Sequence, residues 1–126
     1  MNKMLGRNVD PSEYGNLETF PVDGPTRITF HSEEFQALCP AVKGIQPDIY
    51  DLKISYTAVT HAIESKSLKL WLVTYRNERI FAEHLAAMVH NKIDDIEGVT
   101  DVSVTMIQNI RGGIITHITY PQKGHL

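Results

Sequence analysis

The stretch Phe81-Ala82-Glu83-His84-Leu85-Ala86-Ala87-Met88-Val89-His90-Asn91-Lys92-Ile93-Asp94-Asp95-Ile96, followed by Glu97-Gly98 and then Val99-Thr100-Asp101-Val102-Ser103-Val104-Thr105-Met106-Ile107, changes its apolar period within a few residues. Phe81, Leu85, Met88, Val89, Ile93 and Ile96 fall on one stripe at helical spacing. Gly98 ends the helix, because glycine adopts the left-handed conformation that terminates helices at little cost. Val102, Val104 and Met106 then alternate with Ser103, Thr105 and Ile107, the period of a strand. Asn109 to Gly113 reads as a turn and Ile114 to Tyr120 as a last strand.

Working outward, Leu68 to Tyr75 is apolar at a period that fits a strand or a buried helix. Ser67 as a cap, preceded by Glu64 and Ser65, favours the helix. Ile49 to Thr57 alternates with Leu52, Ile54 and Tyr56 on one face, which predicts a strand. Cys39 to Pro47 holds two prolines and Gly44 and reads as a loop, Ser32 to Leu38 as a short helical turn, and Thr26 to Phe30 as a strand. Residues 1–25, with Pro11, Gly15, Pro21, Gly24 and Pro25, read as an irregular arm before a single domain over 26–126. The order strand, strand, helix, helix, strand, strand predicts an α+β fold: a four-stranded antiparallel sheet with two helices on one face. Isoleucine and valine also fall on the other face, which points to oligomerisation as its cover.

A chain of 126 residues with 42% hydrophobic and 21% charged residues suits one globular domain. Its net charge of -3 argues against nonspecific nucleic-acid binding, which needs a basic face. No apolar run reaches membrane-spanning length, and the first residues lack the apolar core of a secretory signal. One cysteine cannot close an internal disulfide, so a reducing cytoplasm is the expected compartment. The six histidines show no HExxH spacing and there is no CxxC pair, so no metal is expected.

The residues able to do chemistry form an ordered series. A free cysteine is commonly a small buried hydrophobe. Cys39, however, sits at the mouth of a Pro/Gly loop, where a thiolate could act as nucleophile if a cation or helix end stabilises it. Asp48, in Gln46-Pro47-Asp48, either closes a turn or exchanges the proton that covalent chemistry demands. Lys66 and Lys69 share a helix face; they are solvated surface or, with Arg111 and Gly112 at a Gly-Gly turn, a phosphate clamp. Glu64 and Glu83 are ordinary charges or bidentate readers of a guanine-like base. There is no Walker or GxGxxG motif, so a nucleotide site here belongs to neither class.

Taken together these residues resemble the QueF family, the NADPH-dependent 7-cyano-7-deazaguanine reductases of queuosine biosynthesis. The similarity runs from about Leu17 to about Tyr120. It includes Leu17-Glu18-Thr19-Phe20-Pro21, Phe35 to Pro40, Gln46-Pro47-Asp48, Ile54-Ser55-Tyr56, Arg76-Asn77 and Arg111-Gly112-Gly113. Glu64-Ser65-Lys66-Ser67-Leu68-Lys69-Leu70-Trp71 matches that family's nicotinamide-cofactor signature residue for residue. The resemblance implies the tunnelling fold, with subunits joined into an oligomeric barrel, pentamers paired into a decamer, and sites between subunits. It implies NADPH as cofactor and Cys39 as the nucleophile that forms a thioimide with the nitrile, with Asp48 as proton donor. Glu64, Phe81 and Glu83 would hold the deazaguanine, and Ser65, Lys66, Ser67, Lys69, Arg111 and Gly112 the cofactor.

Two features depart from the family pattern. Ala82 stands where the family has the histidine of Phe-His-Glu, and the loop from Cys39 to Asp48 is about two residues longer than usual. Two other readings therefore stay open. One is a QueF-like enzyme that adds ammonia to the nitrile, which the cofactor signature argues against. The other is a non-catalytic binder of a deazapurine or pterin, which Ala82 favours. A cyclohydrolase-like relative of the same fold would want a metal site that this sequence does not offer.

Overall fold

Period-two alternation dominates β3, and the rest of the fold is assembled around it. Asp48, Tyr50, Leu52, Ile54, Tyr56 and Ala58 are buried, and the residues between them are not. In the computed structural model, which describes residues 15–41, 44 and 46–122, the chain runs β1 (Thr19–Pro21), β2 (Thr26–Leu38), β3 (Pro47–Ala58), β4 (His61–Ile63), α1 (Ser65–Val73), α2 (Ala82–Asp94), β5 (Val99–Arg111) and β6 (Ile114–Tyr120). β2-β3-β5-β6 form one antiparallel sheet, and β1 and β4 pair as a second, two-stranded one.

The core lies between the large sheet and the helices. The buried face of β3 continues into Val104 and Met106 of β5, which sit opposite Ile54 and Leu52. Leu85, Ala86, Val89 and Ile93 of α2 cover them and are fully buried, while α1 contributes Leu68 and Trp71. Each large apolar side chain buried this way contributes about 1.5–3 kcal/mol. The α2–β5 junction is fixed by Gly98, at φ 85°. Its carbonyl accepts from the Val59 and Thr60 amides, and a Cβ there would lie 2.2 Å from Thr60 Oγ1.

The α+β class, the four-stranded antiparallel sheet and the two helices on one face agree with the sequence pattern. Several local readings do not. Ser32 to Leu38 is the second half of β2, not a helical turn; a register shift between Ser32 and Phe35 breaks the alternation that would have marked it as extended. Inside the stretch read as an irregular arm, residues 19–21 form β1, held by β4, a strand too short to show a period. α1 starts at Ser65, and its cap is Glu64 rather than Ser67. β5 continues to Arg111, so the turn is confined to Gly112 and Gly113. On α2, Phe81 and Met88 of the expected stripe are exposed, and Ala82 and Ala86 take their place in the core. Residues 1–14, 42, 43, 45 and 123–126 lie outside the described residues, and with them most of the expected irregular arm and part of the expected Cys39 to Pro47 loop.

The sheet's second face carries Ile49 and Ile107, in keeping with the isoleucine expected there, but is otherwise mostly polar. Thr29, Asp51, Lys53, Ser55 and Thr57 lie there at least partly exposed, with Thr29 and Ser55 hydrogen-bonded at 2.8 Å. Exposed apolar residues cluster instead at the β5–β6 tip: Ile110, Ile114 and Ile115. β2 and β6 are the two edges of the sheet; at the end of β2, Leu38 bridges Arg79 in parallel.

Candidate active site

The β2–β3 hairpin places Cys39 and Asp48 at the same end of the sheet. Ala37 faces Asp48 and Leu38 faces Pro47, and one further rung follows, in which the Cys39 amide donates to the Gln46 carbonyl at 3.0 Å. Cys39 and Asp48 are thus diagonal neighbours across the hairpin, on the same face of the ladder. The rungs from Ala37–Asp48 to Cys39–Gln46 stay in register up to the loop mouth. The thiol-bearing residue is half-buried, and Asp48 is 4% exposed.

The start of α2 is laid against the same end. The Leu38 amide donates to the Glu78 carbonyl at 2.8 Å, and the Ile80 amide donates to the Leu38 carbonyl at 3.3 Å. Phe81 follows at once as the N-cap, with Glu83 in the first turn; Phe81 is 51% exposed and Glu83 is also exposed. Ala82 between them is buried and offers no proton-carrying group. His84 is exposed on the next position of the helix. Gly112, at the β5–β6 tip, lies toward this end of the sheet, since β5 pairs Gln108 with Tyr50 before the tip. The Arg111 side chain lies outside the described residues.

The signature stretch begins at the other end of the sheet. The Ile63 amide donates to the Tyr56 hydroxyl at 2.8 Å, which sets the chain entering α1 beside the Ala58 end of β3. Glu64 is 6% exposed, and its carboxylate accepts from the Ser67 amide at 2.7 Å and the Lys66 amide at 2.9 Å. It therefore neutralises the unpaired amides of the helix start, besides any role as a base reader. Ser67, expected to hold cofactor, is fully buried: its hydroxyl donates to the Glu64 carbonyl and accepts from the Glu18 amide. In this chain Ser67 fastens α1 to the segment before β1 and has no exposed surface to offer a cofactor. Ser65 and Lys69 are exposed and Lys66 is half-buried.

Between α1 and the edge strand β2 runs a cleft of about 360 Å³. Ser65, Lys69 and Arg76 line it on the helix side, with Phe30, His31 and Phe35 opposite. Two cations, a hydroxyl and aromatic walls suit a ligand carrying phosphates and flat rings. In the sequence Arg76 has no assigned role, and His31 is one of the histidines that could stand in for the family histidine replaced by Ala82; neither position carries a local signal of the cleft. His31 also pairs with Asp51, and with Glu33 these form one exposed group whose potential metal-ligating atoms lie within 4.8 Å of one another. Arg79 also escaped notice: its guanidinium donates to the Gly44 carbonyl at 2.6 Å and to the Cys39 carbonyl at 3.4 Å.

An antiparallel sheet backed by two helices is a fold with a solved counterpart. The crystal structure of the archaeosine synthase QueF-Like in the apo form superposes with a TM-score of 0.64 at 18% identity, covering 78% of this chain and 92% of that one; at that identity the likeness concerns the fold. The chain belongs to the QueF-like family: the model described as "QueF-like protein" matches residues 47–125. Among curated relatives, the NADPH-dependent 7-cyano-7-deazaguanine reductase of Syntrophus aciditrophicus (strain SB) is 41% identical over 114 residues, which is 88% of this chain and 79% of the relative. The protein of the same name from Frankia casuarinae is 40% identical over 100 residues, 79% and 78% of the two chains.

Proposed function

We propose that this protein is an NADPH-dependent nitrile reductase that converts 7-cyano-7-deazaguanine to 7-aminomethyl-7-deazaguanine, in queuosine tRNA-modification biosynthesis. The observation that supports this reading most is the placement of Cys39 and Asp48 on facing strands of one hairpin end, Cys39 one rung beyond the Leu38–Pro47 pair, in a chain whose relatives bear that activity in their names. In the proposed reaction Cys39 Sγ bonds to the nitrile carbon, and one carbon–nitrogen π pair moves to nitrogen. Nitrogen takes a proton from Asp48, whose carboxylate recovers the one lost by the thiol, so the thioimide forms with protons balanced. A protonated thioimide accepts hydride more readily than a nitrile does. The carbon–sulfur bond later breaks, and Cys39 leaves as thiolate. NADPH supplies the reducing equivalents, two per nitrile carried to the amine, and two protons complete the balance.

For that cofactor the chain offers the α1 cleft, with Ser65, Lys69 and Arg76, together with Lys66 and the Arg111–Gly112 tip. Glu64, Phe81 and Glu83 are assigned to the deazaguanine. The assigned groups divide between opposite ends of one chain's sheet, which supports a homo-oligomer with sites completed between subunits. The edge strands β2, short of its Leu38 end, and β6 are the means by which sheets would join into a barrel; a decamer of two pentamers is the assembly the family resemblance implies. We place the protein in a reducing cytoplasm, where its one thiol stays free. No helix among the described residues is long and apolar enough to cross a membrane.

The test is NADPH oxidation by purified protein with 7-cyano-7-deazaguanine, with products identified by mass spectrometry. Two NADPH consumed per aminomethyl product is the expected result. A covalent adduct without NADPH consumption would instead favour the ammonia-adding reading. Binding without either would favour a non-catalytic relative.

A further inference from the structure

We infer that Arg79 is a positioning residue that clamps the long Cys39–Asp48 loop and so holds the Cys39 backbone in register with the strand that carries Asp48. The inference rests on the reading of Cys39 as nucleophile. Arg79 lies on the segment that runs beside the end of β2, where it bridges Leu38 in parallel. Its own neighbours secure that placement: Glu78 accepts from the Leu38 amide and Ile80 donates to the Leu38 carbonyl. From this anchored backbone the guanidinium spans the loop. Nη1 donates to the Cys39 carbonyl at 3.4 Å, and Nη2 donates to the Gly44 carbonyl at 2.6 Å.

A planar fork with several fixed donors suits this task, because it can hold two carbonyls at once where an ammonium holds a single point. The Gly44 contact is the short one, and charge-assisted bonds of that length are the stronger class. Gly44 sits at φ 85°, a conformation glycine adopts without a Cβ clash, which keeps its carbonyl available to the cation. The loop is about two residues longer than the family pattern, so its closure entropy is larger and its ends are less constrained by the loop itself. Among the described residues the Cys39–Gln46 rung is the last of the ladder before the loop, the position most prone to fray. Arg79 fastens both sides of that rung's open end.

The experiment uses the full chain with Arg79→Ala and Arg79→Lys, after thermal unfolding shows both are folded. In Arg79→Ala, amide exchange at Cys39 should quicken by about tenfold, with β5–β6 protection unchanged. kcat should fall by about tenfold while the KM for NADPH stays within about twofold, since the α1 cleft is not touched. Arg79→Lys should recover part of the kcat. Unchanged exchange at Cys39 in folded Arg79→Ala would overturn the clamp. Equal losses in kcat, NADPH KM and unfolding temperature would overturn the positioning role in favour of a general structural one. If the wild-type protein does not turn over the nitrile, the reductase reading fails, and the exchange measurement alone still decides whether Arg79 holds the loop.

Discussion

Cys39 and Glu64 lie at opposite ends of the sheet within one chain. Cys39 follows the rung that joins Leu38 to Pro47, whereas Glu64 follows Ile63, whose amide is bound by the Tyr56 hydroxyl. From Asp48 to Tyr56 is a run of about eight residues, roughly 26 Å at about 3.3 Å each. No substrate of purine size bridges that span, so the thiol and this carboxylate of one chain cannot serve one ligand.

Replacing the thiol separates chemistry from recognition. Cys39→Ala should abolish NADPH oxidation while the deazaguanine nitrile still binds, because Phe81 and Glu83 are untouched. Mass spectrometry should also lose any adduct. Persisting turnover would remove Cys39 as nucleophile.

Two residues of the signature should behave differently. Lys69→Ala should raise the KM for NADPH by about tenfold with little change in unfolding midpoint, as expected for an exposed cation in the cleft. Ser67→Ala should instead lower stability by about 1–3 kcal/mol, because the Glu18 amide loses its acceptor. Urea titrations and NADPH kinetics on both variants check the contrast.

Glu64 carries a stability role besides any contact with substrate. Glu64→Ala removes the acceptor for two helix-start amides and should lower stability by about 1–2 kcal/mol. Glu64→Gln keeps an acceptor oxygen and should lose less. If Glu64 acted only on substrate, both variants would unfold with the wild-type midpoint.

Alkaline pH should weaken the fold through Tyr56. Burial pushes this phenol above its usual 10.0, and the hydrogen bond from the Ile63 amide offsets part of the shift. Below pH 10 the phenol is protonated in both states, and its full contribution is present. Above that, the unfolded chain ionises first, so stability falls as pH rises toward the folded-state value. Tyr75 shifts in the same direction, through burial and then Glu78. Denaturant titrations from pH 8 to 11 should show the fall, and Tyr56→Phe should make it shallower. An equal slope in that variant would assign the effect elsewhere.

The sequence pattern carried the fold wherever one period ran unbroken. β3, the β5 face and α2 each expose a strict repeat, so their identity was legible. β2 was half lost because a register shift between Ser32 and Phe35 interrupts the alternation. β1 and β4 have three residues each, too few to display a period. Of the candidate site, the local groups were legible: Cys39 and Asp48 on one loop, and the signature on one helix. What sequence could not show was which groups meet. The displacement of Ser67 into the core and the facing of Lys69 and Arg76 onto β2 depend on how α1 returns along the sheet, and the reach of Arg79 to Gly44 on the segment laid beside Leu38. Arg79 in particular looks like any solvated cation until its backbone is placed beside Leu38.

If sites form between chains, two inactive variants should restore each other. A chain carrying Cys39→Ala keeps a sound Lys66 and Lys69 end, and a chain carrying Lys66→Ala keeps a sound Cys39 and Asp48 end. Each homo-oligomer lacks one half of every site. In a mixed oligomer some interfaces join the intact Cys39 end of one chain to the intact Lys66 end of another. Random mixing at equal amounts would give about a quarter of such interfaces complete, and activity should approach about a quarter of wild type if each site works alone. The subunits must be exchanged, by co-expression or by dissociation and reassembly, because preformed oligomers mixed without exchange contain no hybrid interface. A site contained in one chain predicts the opposite: no interface could combine the two intact ends, and the mixture would be no more active than the sum of the separate variants.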